Sequence, residues 1–198
     1  MTRQEKISSL LGDVGIPILG FFFWNWSIYF ICLFFLLDQV SKEVSGIIRI
    51  YSLRQRVKFS NRIYFIHALS FILCLLAVHC YVYMLHPKIN FLIELSNFFW
   101  FKDMGIAQGF VLIPMVFISE RFRYQMNTKH FTDEMHVQHW YFHTIQLSAY
   151  FILFLSMIIL LTYIEMSEMV SFLILLCGFV VIALFTHKLR PFFPRLFP

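Results

Sequence analysis

Charge is scarce in this chain. Asp, Glu, Lys and Arg make up 14% of its 198 residues, against about 25% in soluble proteins. Hydrophobic residues reach 60%, and the mean hydropathy is +0.73. This balance excludes a soluble globular domain and leaves an integral membrane protein. The length has room for about six spans of twenty-odd residues joined by short loops. No soluble domain fits beside them.

Other shortages narrow the reading further. Cys32, Cys74, Cys80 and Cys177 all sit inside apolar runs, and no two form a Cys-x-x-Cys pair. That excludes a disulfide framework or a thiol redox motif and leaves small buried hydrophobes. There is no nucleotide-binding loop. Glu43-Val44-Ser45-Gly46 lacks the first glycine of the rhomboid-protease motif G-x-S-G. Membrane desaturases need several histidine boxes, and this chain has one. The net charge of +5 needs no nucleic-acid partner, because the cytoplasmic loops of a membrane protein are themselves basic. A weak basic start, Arg3 and Lys6, is followed by Asp13 and glycines, with no small-residue cleavage site. A retained first helix is expected there, not a removed signal peptide.

What the chain does have is aromatic and apolar runs, organised around Trp24 to Ile50. That stretch opens on Trp24, Trp26 and Tyr29 and runs uncharged through Leu37 before meeting Asp38, Lys42 and Glu43. A helix rises about 1.5 Å per residue, so Asp38 lies roughly 18 Å along from Trp26, near the middle of a bilayer core. A charge at that depth costs about 2.5–3.5 kcal/mol on insertion scales. Other helices must therefore cover it.

The expected fold is all-α: a single-domain polytopic transmembrane bundle with spans at about residues 7–23, 26–50, 62–85, 104–122, 136–163 and 169–187. Pro17 is expected to kink the first span. Gly105 and Gly109 suggest a close crossing of the fourth. Between the third and fourth spans, Asn90, Glu94 and Asn97 recur at i, i+4, i+7 among apolar and aromatic residues. That predicts a short interfacial helix near residues 90–101. Positive charge is lopsided. Arg3, Lys6, Arg49, Arg54, Arg56, Lys58, Arg62, Arg121, Arg123, Lys129, Lys188, Arg190 and Arg195 collect on one side of the six-span plan, against Lys88 and Lys102 on the other. The positive-inside rule then places both termini in the cytoplasm.

The chemistry-bearing residues gather in one leaflet of that plan. The fifth span opens HVQHWYFHTIQLSAY, where His136, His139, His143, Gln146 and Tyr150 recur at steps of three and four as one polar stripe. Asp13, Glu43, His67, Glu120 and His187 are expected at the same depth. Histidines near carboxylates are plausible ligands for zinc or non-haem iron. Such a site would use His139 and His143, with His136, His67 or Glu120 as the third ligand. The alternative is a structural polar network. Haem is less well served. His67 and His79 are twelve residues apart, but His79 has no partner histidine on the fifth span. Asp38 and Lys42 stand at i, i+4 with the acid first, the favoured direction for an intrahelical pair. They either neutralise each other or leave a carboxylate on a substrate or proton route.

Several pieces carry a family resemblance. GIPILGFFFWNWS with LFFLLDQVSKEVSGIIRI, FIHALSF, WYFHTIQL and ALFTHKLR resemble segments of an uncharacterised family of small polytopic bacterial and archaeal membrane proteins, a domain of unknown function. The family's second helix usually carries Trp-Glu-Asn where this chain has Leu37-Asp38-Gln39. The resemblance implies the topology and no mechanism.

The expectation is thus a bacterial inner (cytoplasmic) membrane protein of non-enzymatic kind, an accessory or structural subunit. It would meet lipid and other membrane proteins or further copies of itself, with no cofactor expected. The alternatives are a small proton- or ion-coupled transporter using Asp38 and Glu43, and a metal or haem oxidoreductase using the histidines.

Overall fold

The computed structural model describes residues 14–53, 61–100, 108–128 and 131–189. Asp13, the basic stretch 54–60, Gly105 and the tail from Arg190 lie outside the described residues, as does the side chain of His187. The described residues form seven α-helices and no strand: α1 (Ile16–Phe23), α2 (Ile28–Leu53), α3 (Asn61–Leu85), α4 (Phe91–Phe99), α5 (Gln108–Thr128), α6 (Asp133–Tyr163) and α7 (Glu168–Leu189).

Three stretches are long and apolar enough to cross a membrane: Tyr64–Leu85, Asp133–Tyr163 and Glu168–Phe185. The described residues are therefore all-helical with three candidate membrane spans, and the six expected spans are not supported. The difference has physical causes. Only eight residues of the first expected span form a described helix, α1. Asp38, Lys42, Glu43 and Arg49 interrupt α2, and Glu120, Arg121 and Arg123 crowd the second half of α5. Pro17 sits in the first turn of α1, just after a wider π-type turn at Val14 and Gly15. A proline in a first turn withholds an N–H that has no helical partner in any case.

The chain divides into two compact units, one of Met1–Arg49 with His86–His130 and one of Ile50–Leu85 with Phe131–Pro198. In the first, α1 and α2 join through a tight turn. Asn25 takes φ 49° there, a left-handed conformation that asparagine tolerates better than most residues. The Gly20 carbonyl accepts from both Trp24 N and Trp26 N. The Trp26 indole lies so close over Gly20 that any Cβ there would overlap it. The same indole continues an aromatic column, with ring centroids 4.3 Å from Phe30 and 6.0 Å from Phe34.

Helix α4 docks on the beginning of α2. Phe98 meets Phe30 at 4.8 Å, Phe91 meets Tyr29 at 5.1 Å, and Ser27 Oγ donates to Glu94 Oε2 at 3.2 Å. Helix α5 starts against the far end of α4, where Gly109 lies on the backbone of Phe98 and Phe99. Of the two glycines expected at a close crossing, Gly109 thus meets the short helix.

In the second unit, α6 is the centre, with α3 packed along it most extensively and α7 against it as well. Thr132 caps α6 by accepting from Met135 N, and Asp133 and Glu134 occupy the first turn, where acids suit the helix dipole. Tyr81 on α3 and Phe179 on α7 both reach Phe154 on α6, with centroids 5.8 and 6.1 Å away. Tyr81, Phe154, Phe172 and Leu147 are fully buried.

Candidate functional site

The polar residues of α3 and α6 form the best-defined candidate site. Trp140 Nε1 donates to His67 Nε2 at 2.9 Å. An indole nitrogen can only donate, so His67 Nε2 is the acceptor and Nδ1 carries the ring proton. His67 Nδ1 then donates to Thr144 Oγ1 at 2.6 Å. Thr144 Oγ1 passes its own proton to the Trp140 carbonyl at 3.1 Å. The three side chains close a circuit in which every donor has an acceptor. One turn further along, Ser148 Oγ donates to the Thr144 carbonyl at 3.0 Å. Its proton being used, Ser148 accepts from Ser70 Oγ at 3.2 Å. Tyr64 covers the site edge-on, its ring 4.8 Å from Trp140.

The buried line of α6 is His136, Trp140, Thr144, Leu147, Tyr150, Phe154 and Met157. This corrects the expected stripe. His136 and Tyr150 belong to it, but His139, His143 and Gln146 flank it and are only half-buried. Gln146 Nε2 turns to the Tyr150 hydroxyl of its own helix at 3.1 Å.

The structure brings only part of the expected metal set together. His139 lies against Phe131 and Phe142, with centroids 5.9 and 6.5 Å away, and His136 lies 5.5 Å from Phe131. His143 instead approaches His67, ring to ring at 5.7 Å. A ligand nitrogen must come within about 2.0–2.1 Å of a zinc ion with its lone pair free. Both His67 nitrogens already serve Trp140 and Thr144, so His67 could ligate only by breaking the circuit. His79 Nδ1 is bound to the Leu75 carbonyl at 2.9 Å, an ordinary intrahelical bond.

The acids are distributed differently. Asp38 Oδ2 accepts from Lys42 Nζ one turn on, and from Gln39 Nε2 at 3.2 Å. Glu43 and Glu120 are buried, at 8% and 6% exposure. Burial pushes the Tyr124 phenol up to about 12; the Arg49 guanidinium opposes that shift and the Glu120 carboxylate adds to it. These three groups thus share one electrostatic environment in the first unit.

Trp140 and Thr144 carry the circuit, and neither is among the residues expected from the sequence. A visible signal existed, since Trp140 and Thr144 stand one turn apart and follow His136 at the same four-residue step. What was missing was the register of α3 against α6. No family model matches this chain, nor does any curated protein or solved structure.

Proposed function

We propose that the protein is a multi-pass, non-enzymatic membrane subunit, an accessory or structural component of an assembly in a bacterial inner membrane. Six spans with both termini cytoplasmic remain the topology best suited to its charge pattern. α2, at 26 residues, is about 39 Å long and α5, at 21 residues, about 31 Å, each enough for a bilayer core. The observation that carries the functional reading is the closed His67–Trp140–Thr144 circuit. His67, which would have to face a substrate or metal, is used to hold one helix to another. The paired Asp38 and Lys42 support the same reading.

Purification of the full chain in mild detergent tests it. A second protein or a second copy should remain bound, with metal content far below one per chain and no haem absorption band. A monodisperse monomer with nothing bound would contradict the proposal. For topology, Arg56→Cys should be labelled from the cytoplasmic side; labelling only from the opposite side would reverse the orientation.

Burial of Glu43 favours one second reading, a proton- or ion-coupled transporter, because acids within membrane segments commonly mark ion pathways. In proteoliposomes, Glu43→Gln should then abolish a proton or cation flux while leaving the protein folded. Asp38, tied to Lys42, is the weaker candidate of the two acids named for that role.

A further inference from the structure

The short helix α4 is amphipathic in the opposite sense to a helix packed on a water-soluble protein. Its inward edge carries Phe91, Glu94 and Phe98, and the Glu94 carboxylate is turned onto Ser27. Its outward face is mainly aliphatic: Leu92 is 78% exposed and Ile93 57%, with Leu95 beside them and Ser96 as the one polar residue among them. Water would favour the reverse arrangement, with the acid outside and the branched side chains covered. Its N-terminus is capped as well. Asn90 Oδ1 accepts from Leu92 N at 3.1 Å and Ile93 N at 3.3 Å, and Trp100 N donates to the Ser96 carbonyl at 2.8 Å. Capped N–H groups suit a low-dielectric neighbour.

We propose that α4 is a lipid anchor: Leu92, Ile93 and Leu95 insert into the acyl boundary of a phospholipid bilayer, while Lys88 and Trp100 meet the headgroups. Three observations identify that partner. The candidate span Tyr64–Leu85 ends six residues before α4 begins, so the chain can carry α4 no further than about 20 Å from the end of that span. Lys88, exposed in the intervening turn, supplies a cation for lipid phosphate. Trp24 and Trp100 are both exposed in this unit, and tryptophan concentrates at the headgroup level. Through the Ser27–Glu94 bond and the Phe30–Phe98 contact, the anchor would hold the α1–α2 turn at the membrane surface. It serves as the fixed end of that hairpin. This rests on the membrane reading above.

The test is tryptophan depth. Full-length Leu92→Trp, with Ile93→Trp as a second reporter, is reconstituted into phosphatidylcholine–phosphatidylglycerol vesicles. Emission is read as the difference from the unsubstituted chain. The added emission should be blue-shifted, mostly lost when the lipid is brominated near the headgroup end of its acyl chains, and insensitive to iodide. Quenching by iodide but not by brominated lipid would overturn the proposal, because the face then meets water. Insensitivity to both would also overturn it, because protein then covers the face. Failure of the chain to float with the vesicles would overturn the membrane reading itself.

Discussion

Around Asp38 on α2, polar side chains turn back onto their own helix. Between α3 and α6 they reach across to a neighbour. Asp38 binds Lys42 and Gln39, and Ser41 Oγ binds the Asp38 carbonyl at 2.8 Å, all within five residues. His67, by contrast, is held by two residues more than seventy positions away. Both arrangements dispose of polar groups in an apolar setting, but they do different work. An intrahelical pair lowers the cost of inserting its own helix and specifies no neighbour. A cross-helix circuit fixes which helix packs on which, and in what register. The packing around them differs in the same way. The first unit is ordered by aromatic rings at a turn, and the second by a continuous buried line along a helix of 31 residues.

Substitutions can break this comparison, beginning with the core of the second unit. Phe154→Ala removes a fully buried ring that touches both Tyr81 and Phe179. It should cost about 3–5 kcal/mol, read as a lowered unfolding midpoint in denaturing mixed micelles, with α7 loosening first under proteolysis. In the first unit, Gly20→Val drives a side chain into the Trp26 indole and should cost about 1–3 kcal/mol. Its readout is altered tryptophan emission, because the column from Trp26 to Phe34 shifts. Trp140→Phe keeps an aromatic ring, smaller than the indole, and deletes the donor to His67. It should cost about 1–3 kcal/mol, less if lipid-exposed conformers find other partners for His67. Asp38→Asn should have the smallest effect, about 0.2–0.5 kcal/mol in helix stability, since it weakens only an i, i+4 pair. A loss as large as that from Trp140→Phe would mean that Asp38 does more than neutralise Lys42.

What could be read from the chain follows the same division. The helices at residues 61–85, 133–163 and 168–189 were legible because long apolar runs with charged or proline-bearing edges allow little else. The Asp38–Lys42 pair was legible because its partners are set by helix geometry alone. Asn90 announced a helix start near its place, but which way Glu94 would face depended on Ser27, sixty-seven residues earlier. The polar stripe of α6 was located on the right helix and rotated. His139 and His143 drew attention as metal-ligand types, whereas the buried line passes through Trp140 and Thr144, and only the position of α3 distinguishes the two faces. The charges of α2 and α5, Asp38, Lys42, Glu43 and Arg49 on one and Glu120, Arg121 and Arg123 on the other, set these helices apart from the three apolar candidate spans.

His67 and Trp140 act as one structural unit. A double-mutant cycle measures that directly, using His67→Phe, Trp140→Phe and the pair, with unfolding followed in mixed micelles. The predicted result is that the double variant is destabilised little more than the worse single one, a coupling of about 0.5–2 kcal/mol. Strictly additive losses, with no coupling, would contradict it and return His67 to the pool of free ligands.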